Sequence, residues 1–144
     1  MKKGLIRIFA AGMVMSASVS FANNDSVSSQ LEGIISSHIA ATSKDSESID
    51  DVMKTMHTDS PVTMHIKTQL EQVFPVFDVN TTLLEFSFVG LDGEFAITRA
   101  KQKIEKISGP AQLKSHTSDQ IIVFKQENGQ WKIWQMAMLD MNYL

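Results

Sequence analysis

The chain has 144 residues, no cysteine and a formal net charge of −3. This length suits a single domain, and the lack of cysteine excludes disulfides, thiolate metal sites and cysteine nucleophiles. An acidic chain without a basic block is a poor match for nucleic acid and for anionic membrane surfaces, because positive charge drives both kinds of binding.

The N-terminal segment has the layout of a secretory signal peptide. Basic residues precede an apolar run diluted by serine, and Ser20 and Ala22 place small residues at the −3 and −1 positions. We therefore expect residues 1–22 to be removed and residues 23–144 to form one periplasmic or secreted domain without a membrane span. The alternative is an uncleaved anchor, but the run is shorter than the ~20 apolar residues that a span needs.

Apolar residues recur at three- and four-residue spacing in the next part of the chain, which is typical of amphipathic helices. The stripe of the first predicted helix includes His38. Ser48 and Asp51 resemble a capping box at the start of a short second helix. A third helix is predicted directly after Ser60, which would cap it, and Pro75 should end it.

The period then changes to two residues, which predicts four strands. They cover residues 81–89, 94–107, 117–126 and 131–139. Asn128 and Gly129 join the last two strands and are a strong hairpin signal, because both tolerate positive φ. Helices followed by strands indicate an α+β fold, with the helices on one face of a four-stranded antiparallel sheet.

The last predicted strand is apolar on both faces. Trp131 and Ile133 alternate with Trp134, Met136 and Met138, and the third strand is two-sided as well. No remaining segment of the chain is available to cover a second apolar face. We therefore expect a homodimer packed through the outer sheet face, the face that carries the Trp134 side of the strand.

The order of elements and the closing motif resemble the NTF2-like superfamily, also called the SnoaL-like or cystatin-like α+β cone. The stretch ENGQWKI is similar to a turn-and-strand ending common in that group. MHTDSPVTMHIKTQLEQVF resembles the passage from the second to the third helix in bacterial nuclear transport factor 2 family proteins. The resemblance covers nearly all of residues 26–144. It implies a curved sheet around the helices, a cone-shaped pocket and frequent dimerisation through the outer sheet face.

The resemblance implies no single function, because the superfamily includes isomerases, dehydratases, polyketide cyclases and non-catalytic binding domains. Its isomerases use a pocket Asp with a Tyr and a protonated Asp. The only tyrosine here, Tyr143, lies at the C-terminus and argues against that chemistry. We expect a non-catalytic domain that binds a small apolar or amphipathic ligand or an envelope protein. The alternatives are an isomerase, dehydratase or cyclase-type enzyme, and a structural domain whose cavity is filled by Phe86, Phe88 and Phe95.

Four side chains are candidates for the pocket: His38, Arg99, Asp119 and Trp134. His38 is either a pocket base or a structural hydrogen-bonding residue. Arg99 would clamp a carboxylate at the pocket mouth, or it ends a strand in solvent. Asp119 would be a buried catalytic carboxylate or an exposed strand start. Trp134 would line either the pocket or the dimer interface.

No metal or cofactor is expected. His57 and His65 flank a turn at a spacing that matches no ligand motif, and His116 lies in a different loop. A zinc or copper site needs three or four converging ligands.

Overall fold

The computed structural model describes the backbone of residues 17–144 and the side chains of residues 23–144. Its helices are α1 (Ala17–Thr42), α2 (Ile49–Thr55) and α3 (Thr63–Val73), with a single 3-10 turn at Lys44–Ser46. The strands are β1 (Asp78–Asp92), β2 (Phe95–Ser108), β3 (His116–Glu127) and β4 (Gln130–Tyr143). They form one antiparallel sheet in the order β1-β2-β3-β4. The predicted α+β class and the four-stranded antiparallel sheet are thereby confirmed.

The helix α1 begins earlier than the sequence predicted and overlaps the end of the predicted signal segment. Most of that segment, residues 1–22, lies outside the described residues, so its cleavage stays a prediction. Among the described side chains of α1, Val27, Leu31, Ile35 and Ile39 form a buried stripe. None of the helices in the described part of the chain is long and apolar enough to cross a membrane.

Two serines form caps between the helices: Ser48 caps a helix, and Ser60 caps a turn. Ser48 Oγ accepts a hydrogen bond from the N–H of Asp51 at 3.2 Å, so the predicted cap of α2 is confirmed. Ser60 Oγ accepts from the N–H of Val62 at 3.2 Å, and its hydroxyl donates to the carbonyl of Trp134 at 2.6 Å. Ser60 thus caps a turn and ties it to β4, and α3 begins later than predicted.

The core lies between α1 and the concave face of the sheet. On β2 this face carries buried small or polar side chains: Ala96, Thr98, Ala100 and Gln102. Ala96 pairs with Phe124 and Thr98 with Ile122, and directly paired residues share a face of the sheet. Ala96 and Ala100 of β2 belong to one buried cluster with Leu31 and Ile35 of α1 and with Phe124 of β3.

Bulges in the two edge strands change which residues face the core. In β1, pairing skips Leu84, which is 46% exposed, whereas Leu83, Phe86 and Phe88 pack against the core. The alternation of Leu84 with Phe86 and Phe88 in the sequence predicts a single face for all three, and the structure contradicts this because a bulge adds an unpaired residue to the strand.

The same effect explains the two-sided pattern of β4. Its pairing with β3 skips Trp134 and Leu139. Trp131 and Ile133 are buried before the first skipped residue, and Met136 packs against the same core after it. The prediction that Met136 shares the outer face with Trp134 is therefore wrong, since a shift of one residue exchanges the faces.

The turn between β3 and β4 is as predicted. Asn128 and Gly129 adopt φ angles of 52° and 77°. Both values lie in the left-handed region, where these two residue types are tolerated.

Candidate functional site

A cavity of about 340 Å³ lies inside the cone, at the end of the sheet where β1 and β3 begin. We call it the cone cavity. Its apolar lining residues are Ile39, Phe77, Val79, Ile104, Leu113 and Met136. Its polar lining residues are His38, Thr42, Thr81, Gln102, His116 and Gln120. Carboxylates, lysines and arginines are absent from this described lining, so the cavity offers uncharged polar groups on an apolar wall.

His38 reaches the cone cavity from the last turns of α1. Its Nδ1 atom lies 2.7 Å from Oγ1 of Thr55, and Thr55 Oγ1 lies 2.7 Å from the carbonyl oxygen of Val52. Burial lowers the pKa of His38 from 6.5 to about 4, because desolvation disfavours the charged ring. His38 is therefore a neutral hydrogen-bonding group at neutral pH.

His116 stands at the opposite side of the same cavity, at the start of β3. Its Nδ1 atom lies 2.9 Å from the carbonyl oxygen of Lys114. The ring also makes an edge-on contact with Tyr143, with centroids 6.2 Å apart. The side chain is thus held in place from two directions.

Arg99 and Asp119 lie on the outer face of the sheet and not in the cone cavity. Arg99 Nε donates to Asp119 Oδ1 at 2.9 Å, and its second nitrogen donates to Oδ2 in a two-pronged ion pair. The Arg99 guanidinium lowers the pKa of Asp119 by this hydrogen bonding. The two residues share a shallow depression with Glu85, Ser87 and Lys101. Their charges therefore neutralise each other instead of facing a ligand in the cone.

The facing of β2 explains this placement. The sequence left Arg99 open between a carboxylate clamp at the pocket mouth and a strand end in solvent. The face of β2 that lies towards the core carries Ala96 and Ala100, both fully buried. Arg99 lies on the opposite face, where its partner is Asp119.

Trp134 lies at the edge of β4 and also does not line the cone cavity. Its ring meets the ring of His57 edge-on at 5.0 Å, and Lys125 Nζ lies 4.6 Å from its ring centroid. The N–H of His57 donates to the carbonyl of Ile133 at 2.9 Å, which fixes the segment before α3 along the edge of β4. Trp134 covers this junction, so its contacts are structural.

An open groove of about 550 Å³ lies outside the cone, between α1, α2 and the β3–β4 turn. Its two lysines already have partners within the protein. Lys54 Nζ lies 2.6 Å from a carboxylate oxygen of Asp51, and Lys132 Nζ donates to the carbonyl of Lys54. The cationic groups of the groove are therefore engaged within the protein. In the part of the chain that the structure describes, no three His, Asp or Glu side chains converge as a metal site would require.

Sequence reasoning found His38 and missed the residues that share its cavity. His116 was considered only as a metal ligand, and Gln102, Gln120 and Thr55 were not considered. Gln102 and Gln120 lie two positions from buried residues of β2 and β3. This spacing would have indicated that they share the buried face of the sheet.

Fold and cavity together define this protein as an NTF2-like, or cystatin-like, α+β cone. The chain belongs to the family described as the C-terminal domain of anti-sigma-I factor RsgI9, whose model matches residues 34–144. No protein with a curated function matches it in sequence.

Solved structures with this fold include proteins described as enzymes and others of unknown function. A proposed aromatic ring hydroxylase from Novosphingobium aromaticivorans has a TM-score of 0.64 at 16% identity, over 80% of this chain and 91% of that chain. The hexachlorocyclohexane dehydrochlorinase LinA-type3 from Novosphingobium barchaimii has a TM-score of 0.62 at 9% identity, over 85% and 94%. An NTF2-like protein from Pseudomonas putida has a TM-score of 0.61 at 12% identity, over 79% and 86%. Likeness at these identities shows the fold alone.

Proposed function

We propose that this chain is a non-catalytic binding domain whose cone cavity holds a small apolar or amphipathic molecule. One observation carries the proposal: a cavity of about 340 Å³ has an apolar wall and two histidines, and its described lining carries no permanent charge. A pocket of this kind, apolar with a few convergent polar groups, is typical of small-molecule sites. An envelope protein segment is the alternative occupant.

The chemistry of His38 supports binding over turnover. An efficient general base has a pKa near the working pH, whereas the pKa of His38 is lowered to about 4. Its Nδ1 partner is the hydroxyl of Thr55 and not a carboxylate that would raise its basicity. The placement of His38 in the cavity is the observation that favours the second candidate, an isomerase, dehydratase or cyclase-type enzyme. That candidate lacks a polar pair suited to proton transfer.

The family description gives further support to a recognition role. It names the C-terminal domain of an anti-sigma-I factor, which is a regulatory protein. We propose for this chain, by analogy, that occupation of the cavity and not conversion of its contents is the functional event.

We further propose that the protein is secreted or periplasmic after loss of residues 1–22. The basic start, the apolar run and the small residues before Asn23 support this assignment. The intact mass of the protein from its own cells tests the proposal: a chain beginning at or next to Asn23 is expected, and a full-length chain would contradict it.

We also propose a homodimer through the outer sheet face. Ile97 pairs with Val123 on this face, and Ile121 lies beside them opposite Arg99. All three apolar side chains are partly exposed, and the Arg99–Asp119 ion pair borders them. A twofold axis through this strip would bring the apolar residues of two copies together.

A fluorescence titration tests the binding proposal. N-phenylnaphthylamine is neutral, and its emission rises in apolar surroundings. Wild type should bind it with saturation and fixed stoichiometry. Val79→Phe places a larger side chain in the cone cavity and should abolish binding. The matched control is Val89→Phe, since Val89 lies on the same strand and is 59% exposed. Equal binding by both variants, or binding without saturation, would overturn the proposal.

A further inference from the structure

The two histidines of the cone cavity have hydrogen-bond partners that fix their tautomers. The hydroxyl of Thr55 has one proton, and its oxygen lies 2.7 Å from the carbonyl oxygen of Val52. A carbonyl only accepts, so the Thr55 proton is used there. The contact of 2.7 Å between Thr55 Oγ1 and His38 Nδ1 then needs its proton from the histidine. The neutral ring of His38 is therefore protonated at Nδ1.

A single contact fixes the proton of His116 at Nδ1 as well. Its Nδ1 atom lies 2.9 Å from the carbonyl oxygen of Lys114, and this oxygen can only accept. Nδ1 of His116 must therefore donate. A neutral imidazole carries one ring proton, so its other nitrogen is an acceptor. Within residues 23–144, neither Nε2 atom has a hydrogen-bonding partner of its own.

We infer that the cone cavity takes an uncharged, mostly apolar molecule with hydroxyl groups that donate to Nε2 of His38 and of His116. This inference rests on the proposed binding function and specifies its ligand. Two acceptors fixed by the protein require donors on the ligand, because an acceptor placed against an acceptor loses both hydrogen bonds to water.

Charge and size point to the same ligand class. A carboxylate or phosphate would bring lone pairs towards the two Nε2 atoms without a cation in the described lining to neutralise it. Burial keeps His38 uncharged at neutral pH, so its Nε2 atom stays an acceptor. The apolar wall, formed by side chains such as Ile104 and Met136, suits a hydrocarbon body of the size of one or two rings.

Calorimetric titration with three naphthalene derivatives tests the ligand class. Dihydroxynaphthalene has two donors, dimethoxynaphthalene has the same body without donors, and naphthoate is an anion. The diol should bind roughly tenfold more tightly than the ether, as two net hydrogen bonds imply, and naphthoate should bind most weakly. Equal affinity for diol and ether, or tighter binding of naphthoate, would overturn the inference.

A matched pair of variants locates the acceptor. The amide of His38→Asn can still donate to Thr55 but has no group at the Nε2 position. It should weaken diol binding about fivefold and leave ether binding unchanged. His65→Asn is the control, since His65 is exposed on α3. Loss of diol and ether binding to the same extent in His38→Asn would contradict the assigned hydrogen bond.

Nitrogen chemical shifts of the wild-type imidazole rings give a readout that needs no variant. Both rings should show a protonated Nδ1, the His38 ring should show an unprotonated Nε2 at neutral pH, and the Nε2 shifts should move when the diol binds. A His38 ring protonated at Nε2, or a His116 ring without a proton at Nδ1, would overturn the inference.

The experiments separate the two proposals. If diol and ether bind equally and Val79→Phe abolishes both, the cavity binds through apolar contacts alone; the ligand class is then wrong and the binding function stands. If none of the probes binds, the ligand class is wrong, and absence of N-phenylnaphthylamine binding in the same protein removes the binding function as well.

Discussion

His38 is a titratable residue in the otherwise apolar stripe of α1. It stays uncharged there because burial disfavours the charged ring, and Thr55, held by α2, accepts a hydrogen bond from its Nδ1–H. The sequence placed His38 in this stripe and left open whether it is a base or a structural residue. Its burial and its contact with Thr55, which belongs to another helix, favour a neutral hydrogen-bonding group.

The lowered pKa of His38 predicts how stability depends on pH. Between about pH 4 and 6.5 the unfolded chain binds a proton at His38 and the folded chain does not. The free energy of unfolding should therefore rise with pH across this window, by at most about 3 kcal/mol from this group. Urea unfolding at several pH values measures the slope, and His38→Asn should be less steep than wild type. An equal slope in the two proteins would contradict the account of His38.

Arg99 and Asp119 test the assignment of the outer face. Because they bind each other outside the cone, Arg99→Gln and Asp119→Asn should leave the affinity of the cavity for N-phenylnaphthylamine unchanged. The ion pair is exposed to solvent, so stability should change little. A loss of probe affinity in either variant would contradict this assignment and indicate that these residues belong to the binding site.

At the scale of elements, burial along β4 makes a prediction about two methionines on the same face of the strand. Met136 packs against the core, whereas Met138 is 56% exposed. Met136→Lys should lower the free energy of unfolding by about 2–4 kcal/mol, since it loses apolar contacts and buries a charge. Met138→Lys should be close to wild type. Urea unfolding compares the two, and equal destabilisation would contradict the placement of Met136 against the core.

The sequence predicted which segments form helices and strands, but it did not predict which residues of each strand point towards the core. The change of period from helical to alternating gave the order of elements, and Asn128 and Gly129 gave the last turn. These signals are local, so they survive in a single sequence. A bulge such as that at Leu84 depends on pairing with another strand, which no local pattern records. The facing of β2 likewise depends on the tertiary packing that buries Ala96 and Ala100.

The sequence predicted one residue of the candidate site from a local pattern and missed those that depend on tertiary contacts. His38 belongs to a helix whose buried stripe can be recognised in the sequence by its three- and four-residue spacing. The sequence left open whether Arg99 and Asp119 enter the pocket, and the structure puts both on the outer face of the sheet. His116, Gln102 and Gln120 reach the cavity from three distant positions in the chain, so only the folded arrangement brings them together.

At the scale of the whole molecule, the proposed dimer follows from the apolar strip on the outer face. Ile121→Lys places a charge within that strip and should convert a dimer to a folded monomer in size-exclusion chromatography. Met64→Lys is the control, because Met64 is 71% exposed on α3. A dimer that persists in Ile121→Lys, or a monomeric wild type, would contradict the proposed interface.

Native mass spectrometry of the protein from its own cells tests the central claim most directly. The claim is that the cone cavity binds an uncharged amphipathic molecule. Wild type and Val89→Phe should carry an extra mass that is lost on denaturation, and Val79→Phe should not carry it. The released compound should contain hydroxyl groups on an apolar body. The same extra mass on Val79→Phe, or none on any of the three proteins, would contradict the account.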